Sequence, residues 1–237
     1  MYDRKVGDEV LSFGNEGVLY RRSFIMYDRQ SESLWVHVSG EAIKGPRKGQ
    51  RLKFLPSEVT TWNDWFTRHP MTSALVGEKV SGFMGTFSLR DRMNEFGLSI
   101  GQGREVSLLR FTMLKRVPVM QLTVAKQEVV AVFDPQAVRA TAFSRRLGER
   151  LLNFETVLPE TTKPTGDADE TATVHAPAPL MRDSNTGSLW QRMTGHCIAG
   201  ELVGEQLDAV SAVAWMGKRW KGFFPDGEII GLPESGQ

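Results

Sequence analysis

Cysteine is almost missing from this chain of 237 residues, where Cys197 stands alone. That excludes an intrachain disulfide and any metal site built from several cysteines of one chain. Histidine is scarce as well. His37, His69, His175 and His196 fall into no HxH, HxxxH or HExxH spacing, so neither a metal site nor a cofactor is expected. No uninterrupted apolar run reaches the ~18–20 residues that a membrane-spanning helix requires. The opening Met1-Tyr2-Asp3-Arg4-Lys5 leads into no apolar signal region. A soluble chain is expected, exported if a signal segment precedes this sequence. An excess of one charge is missing too. The 29 Lys and Arg against 28 Asp and Glu leave +1, too little to gather nucleic acid or an anionic membrane. The pairs Arg145-Arg146 and Lys218-Arg219 read as solvated surface. Gly101-Gln102-Gly103 lacks the third glycine and the helix of a dinucleotide loop.

What is present is a repeat. Residues 26–70 align without a gap on 181–225 at an offset of 155, with 12 identities in 45 positions. The pairs are Met26/Met181, Asp28/Asp183, Ser33/Ser188, Leu34/Leu189, Trp35/Trp190, Gly40/Gly195, Ile43/Ile198, Gly45/Gly200, Gly49/Gly204, Leu52/Leu207, Trp65/Trp220 and Pro70/Pro225. Five of them are Trp or Gly, rare or conformationally special types that chance seldom aligns. Such self-similarity marks a structural unit used twice.

The unit has a readable local form. Asp28 to Glu32 and Asp183 to Gly187 are polar turn formers. Each turn leads into Ser-Leu-Trp, which suits a short strand. Glycines at fixed intervals then allow bends between short strands. A helical stretch is predicted over 57–69, with Ser57 or Thr60 as N-cap and with Trp62, Trp65 and Phe66 on one face. Trp215 and Trp220 lie in the similar region of the second copy. Val10-Leu11-Ser12-Phe13 echoes Leu151-Leu152-Asn153-Phe154, and Met1-Tyr2-Asp3 echoes Val132-Phe133-Asp134. Strands near Val106–Leu114 and Val117–Phe133 open the second unit and have no counterpart before the first. The stretch 158–179, rich in Pro, Thr, Ala and acid, reads as an insertion rather than core. The expected architecture is mainly β with some helix (α+β), as two pseudo-symmetric repeat units packed together. The first, incomplete unit covers 1–100. The second covers 101–237, with the inserted loop at about 158–179.

The segment 17–70 resembles the domain of unknown function 3179 family. The residues that carry the likeness are Met26-Tyr27-Asp28-Arg29, Ser33-Leu34-Trp35, Gly40-Glu41-Ala42-Ile43, Gly45, Trp62, Trp65 and His69-Pro70. A looser match follows over 104–225. The resemblance implies no activity. Members of that family usually carry a Cys-Pro-Leu-Cys strand just upstream of the Phe-Asp-Arg that Met1-Tyr2-Asp3-Arg4 resembles. This sequence starts after that point, and the corresponding strand around Leu122–Phe133 has no cysteine, so no thiol, redox or metal role carries over. The family often occurs in exported proteins.

The residues with chemical potential are few. Asp28, Arg29 and His69 are weak catalytic candidates. Asp28 and Asp183 could work as an acid and base pair, or they could be turn formers. Trp35 and Trp190 could stack on a ligand, or each could anchor the core of its unit. Because both copies keep the tryptophan, the core role is favoured. Cys197 aligns with Ala42 and reads as a small packing residue. The expected function is a non-catalytic binding or structural-assembly protein. Another polypeptide or a second copy would complete the first unit at its N-terminal edge, residues 1–25. The alternative is an enzyme, a hydrolase with its site in a cleft between the units.

Overall fold

A computed structural model of the chain describes residues 1–55, 57–74, 90–157 and 179–231. It is mainly β. The predicted insertion at 158–179 lies, but for residue 179, outside the described residues.

The chain opens with a small hairpin, β1 (Lys5–Val6) and β2 (Glu9–Val10). A four-stranded antiparallel sheet follows, built from β3 (Phe13–Tyr20), β4 (Ser23–Asp28), β5 (Leu34–Val36) and β6 (Glu41–Lys44) in that order. Helix α1 (Trp62–Arg68) comes next. Its cap is Thr61, neither of the two predicted residues, and the Thr61 hydroxyl accepts from the Asp64 amide at 3.2 Å. Residues 57–60 are not helical.

The middle of the chain forms β7 (Phe96–Gln102), β8 (Glu105–Arg110), helix α2 (Phe111–Arg116), β9 (Val119–Val124), β10 (Gln127–Asp134) and β11 (Arg139–Ser144). The strand predicted to reach Leu114 stops at Arg110, because Phe111 and Leu114 turn inward from α2 at helical spacing. Strands β9, β10 and β11 form one antiparallel sheet with β10 central. Alternation along β10 explains its unbroken apolar run. Val129, Ala131 and Phe133 enter one core with Leu98, Ile100, Leu109 and Phe111. Val130 and Val132 enter another with Phe143, Phe154 and Trp190. A strand buried on both faces needs no polar residue between its apolar ones.

The second copy then repeats the opening pattern. It comprises the hairpin β12 (Arg146–Leu147) and β13 (Arg150–Leu151), and a sheet of β14 (Phe154–Thr156), β15 (Leu180–Asp183), β16 (Leu189–Gln191) and β17 (His196–Ala199). β18 (Ala212–Met216), α3 (Gly217–Phe223) and β19 (Glu228–Ile230) close the described chain. β18 and β19 flank β7 and β8 in the order β18-β7-β8-β19, and the last pair is parallel.

The same backbone hydrogen bonds recur in the two copies. Leu11 donates to Arg4 and Leu152 to Arg145, both at 2.9 Å. Leu52 donates to Gly40 and Leu207 to Gly195, again at 2.9 Å. Tyr2 bridges Phe54, and Phe143 bridges Ala209. The counterpart of Tyr2 is therefore Phe143. The predicted echo of Met1-Tyr2-Asp3 in Val132-Phe133-Asp134 is displaced, because Phe133 points into the other core.

A buried cation ties α1 to the second copy. Arg139 is only 3% exposed. Its Nε lies 2.9 Å from Glu58, its Nη1 3.5 Å from Asp64, and its Nη2 donates to the Met193 carbonyl at 3.0 Å. Arg139→Ala should cost about 2 kcal/mol, below the ~3–5 of a fully buried pair because both acids keep contact with water. Amide exchange should speed up across α1. Unchanged α1 protection in the variant would show that the ion cluster does not hold the helix.

Candidate functional site

The residues singled out from sequence converge on one corner, which occurs twice. β4 ends at Asp28, a turn follows, and β5 brings Trp35 back beside it. Asp28 and Trp35 are both fully buried. The Trp35 indole Nε1 donates to Asp28 Oδ2 at 2.8 Å. The Ser31 amide donates to Oδ1 at 2.6 Å, and the Ser31 hydroxyl reaches both oxygens at 2.8 and 2.9 Å. Ser31 Oγ also meets Ser33 Oγ at 2.8 Å. Every contact here is local, which is why an Asp-to-Trp spacing of seven can encode it.

The second corner matches it atom for atom. The Trp190 indole donates to Asp183 Oδ2 at 2.9 Å. The Thr186 amide donates at 2.7 Å, and its hydroxyl takes the place of Ser31 at 2.9 Å from both oxygens. In both, the backbone amide of the aspartate donates to the serine carbonyl, Asp28 to Ser33 and Asp183 to Ser188, at 3.1 Å. A glycine seals each corner. A Cβ on Gly45 or Gly200 would lie 2.7 Å from the Cα of Ser33 or Ser188, a distance no side chain tolerates.

One difference is electrostatic. The Arg47 amide donates to Ser33 Oγ at 3.0 Å, and its Nε stands 4.0 Å from Asp28. Its guanidinium also pairs with Glu9. At the equivalent place the Leu202 amide donates to Ser188 Oγ at 3.1 Å, and an apolar side chain replaces the cation. Burial works to raise the Asp28 carboxyl. The hydrogen bonds from Trp35 and Ser31 and the Arg47 charge outweigh it and hold the group below the usual carboxylate range.

Each carboxylate is fully buried and accepts from an indole, a backbone amide and a hydroxyl. The two indoles sit inside their cores, against Phe13 in one and Phe154 in the other, edge to face at 5.9 and 5.8 Å. Arg29 is exposed and lies over the Tyr27 ring at 5.5 Å. His69 is elsewhere. It caps α1, its amide donates to the Trp65 carbonyl at 2.9 Å, and its ring tilts on Trp65 at 4.2 Å. Among the described residues, no hydrogen bond, ion pair or ring contact joins His69 to Asp28 or Arg29. Cys197 is buried opposite Trp190, and burial pushes its thiol up, away from the nucleophilic thiolate.

Sequence reasoning missed Ser31 and Thr186, the hydroxyls that hold the carboxylates. Their signal was a hydroxyl three residues after the aspartate in both copies. Among the described residues, no group of three or more His, Cys, Asp or Glu could hold a metal. No helix among them is long and apolar enough to cross a membrane.

The family model described as Protein of unknown function (DUF3179) matches residues 1–84 and 176–236, more than half of the chain and both sequence copies. No curated protein and no solved structure matches it.

Two outcomes test the corner. Trp35→Ala and Trp190→Ala should each cost roughly 3–5 kcal/mol, as for other buried aromatics. Unchanged urea midpoints would make the rings surface groups. The lowered Asp28 value stabilises the fold above about pH 4, and that contribution fades as the pH falls through the folded-state value. Asp28→Asn should flatten this part of the acid profile. Identical slopes of stability against pH in both proteins would show that Asp28 is not held ionised.

Proposed function

The chain belongs to the family described as Protein of unknown function (DUF3179), and on that footing we propose that it is a non-catalytic binding or structural-assembly protein. In this reading two pseudo-symmetric units pack together, and another polypeptide completes the first. The observation that carries it is an inequality between the two copies. In the second, Val119, Val130 and Val132 of β9 and β10 cover the core around Trp190, and Phe143, Phe154 and Met181 are buried there. The counterparts Tyr2, Phe13 and Met26 only half-bury around Trp35. Likewise Trp220 of α3 is fully buried beneath Val106 and Leu108 of β8, while Trp65, its counterpart in α1, is half-buried. Val59, Trp62 and Phe66 on the same stretch of chain are exposed, Trp62 at 55%.

Exposed apolar side chains, with Trp62 stacked on Phe66 at 5.5 Å, beside less covered cores are a mark of an interaction surface. The catalytic alternative draws no such support, since Asp28 is enclosed and His69 stands apart from it. The test is amide exchange on a sample whose mass is known from light scattering. In the monomer, Tyr2 and Arg4 amides should exchange far faster than those of Phe143 and Arg145. A monomer with strong protection at Tyr2 and Arg4 would mean that the face is already closed, and the reading would lose its basis.

A further inference from the structure

A hairpin and a short helix, far apart in sequence, meet in a surface that is both basic and apolar. The net charge of +1 conceals it. It uses no residue of the aspartate–tryptophan corners and goes beyond the assembly reading.

β3 and β4 join through Arg21 and Arg22, with φ of 50° and 67°. Two left-handed residues make the tight reversal of a two-residue hairpin loop. Residues 15–22 are all exposed, so the tip stands clear of the core. Just behind it, Leu19 lies directly opposite Phe24 in the strand register, and their side chains share one face. Leu19 is 70% exposed and Phe24 38%. The Phe24 ring stacks on exposed His37 at 4.0 Å. Ser23 and Ile25 alternate inward and fix this face outward.

The tip rests on α3. The Arg21 guanidinium donates to the Gly222 carbonyl and lies over the Tyr20 ring at 5.3 Å. Lys218 and Arg219 stand four and three residues before Gly222, on the side of the helix that the tip approaches, and both are exposed. Lys221 turns instead to the Pro225 and Gly227 carbonyls at the end of the helix. Four cations thus gather beside an exposed Leu–Phe pair. Among the described residues none of the four makes an ion pair. α3 carries no acid. Glu95, the acid within electrostatic reach of Lys218, is already bound by Arg92 at 2.6 Å.

We propose that the β3–β4 tip and the exposed side of α3 dock on an anionic phospholipid bilayer. Leu19 and Phe24 enter the boundary between headgroups and acyl chains. Arg21 and Arg22 bind lipid phosphates at that depth, and Lys218 and Arg219 add attraction from the headgroup layer. The mixture of chemistries selects this occupant. A nucleic acid or an acidic protein would use the cations, but neither accounts for aliphatic and aromatic side chains set outward on a projecting hairpin. A bilayer interface receives both.

Sedimentation of the full chain with vesicles is the test. Phosphatidylcholine vesicles with about a third phosphatidylserine should bind it at least about tenfold more tightly than phosphatidylcholine alone, since each engaged cation adds roughly fivefold. Raising salt to ~0.5 M should release it. Arg22→Glu with Lys218→Glu should abolish the preference for anionic vesicles. Leu19→Ser with Phe24→Ser should weaken binding with the salt dependence kept. All these positions are exposed, so urea midpoints should stay at the wild-type value. Leu19→Cys carrying a polarity-sensitive dye should shift to the blue on anionic vesicles, a readout that needs no disruptive variant. Equal binding to the two vesicle types, or none, would overturn the proposal. So would anionic binding indifferent to both double variants with no dye shift. Saturable binding of single-stranded RNA or polyglutamate without vesicle binding would reassign the cations to another polyanion and overturn the bilayer.

Discussion

An indole N–H bound to a buried carboxylate is the constraint around which each copy is arranged. A carboxylate at zero exposure is costly unless every lone pair is met. At Asp28 and Asp183 the donors are a tryptophan, a backbone amide and a hydroxyl. Each donor dictates further geometry. The tryptophan must return within seven residues, so the turn is tight. Its tightness puts residue 32 or 187 in the left-handed region, with φ of 54° at Glu32 and 75° at Gly187. The serine beyond it must come so close to the neighbouring loop that only glycine fits at 45 and 200. A spacing pattern that looks like a list of identities is one connected set of contacts.

The two copies satisfy this constraint with different means. Ser31 gives way to Thr186, whose hydroxyl keeps the same bonds to the carboxylate and also accepts from the Ser188 amide at 3.3 Å. Glu32 accepts a left-handed backbone that costs an L-residue about 1 kcal/mol, and Gly187 avoids it. Arg47 lends charge to one carboxylate, where Leu202 lends only cover. Outside the corner the contrast is larger. Trp220 donates to Ser99 at 2.9 Å in a closed core. The Trp65 indole donates to Thr72 at 3.0 Å, beside exposed side chains. The corner tolerates variation in its donors but not in their positions, while the surroundings diverge freely.

That contrast decides what could be read from the sequence. The turn, the Ser-Leu-Trp strand and the glycine bends were legible, because all their contacts fall within about twenty residues and recur. The β-rich class followed from them. The α1 cap was misplaced by one residue because Thr60 and Thr61 are equally good N-cap types. Only the fold shows that Thr60 bonds Asp64 through its side chain, at 2.7 Å. The register of the first three residues was missed because Phe133 and Phe143 both precede a polar residue in apolar context, and local pattern cannot choose between them. Helix α2 was hidden inside an apolar run that suits a strand equally well. The Arg139 cluster joins residues far apart in sequence, and no local pattern announces it.

The placement of β18 has a consequence for the order in which the chain folds. β7 pairs with β18 across the whole of the second copy, from Phe96–Gln102 to Ala212–Met216, and β8 must also wait for β19. These are pairings of high contact order, and closing such long loops is entropically slow. The aspartate–tryptophan corners close loops of only a few residues and can nucleate early. The second copy is thus a locally folding body enclosed between the halves of a late-forming sheet. Ribosomal synthesis adds to the delay, since β7 and β8 emerge long before either flanking strand exists. Until then their edges are exposed, and the interval before β18 arrives is when the chain is most prone to wrong pairing.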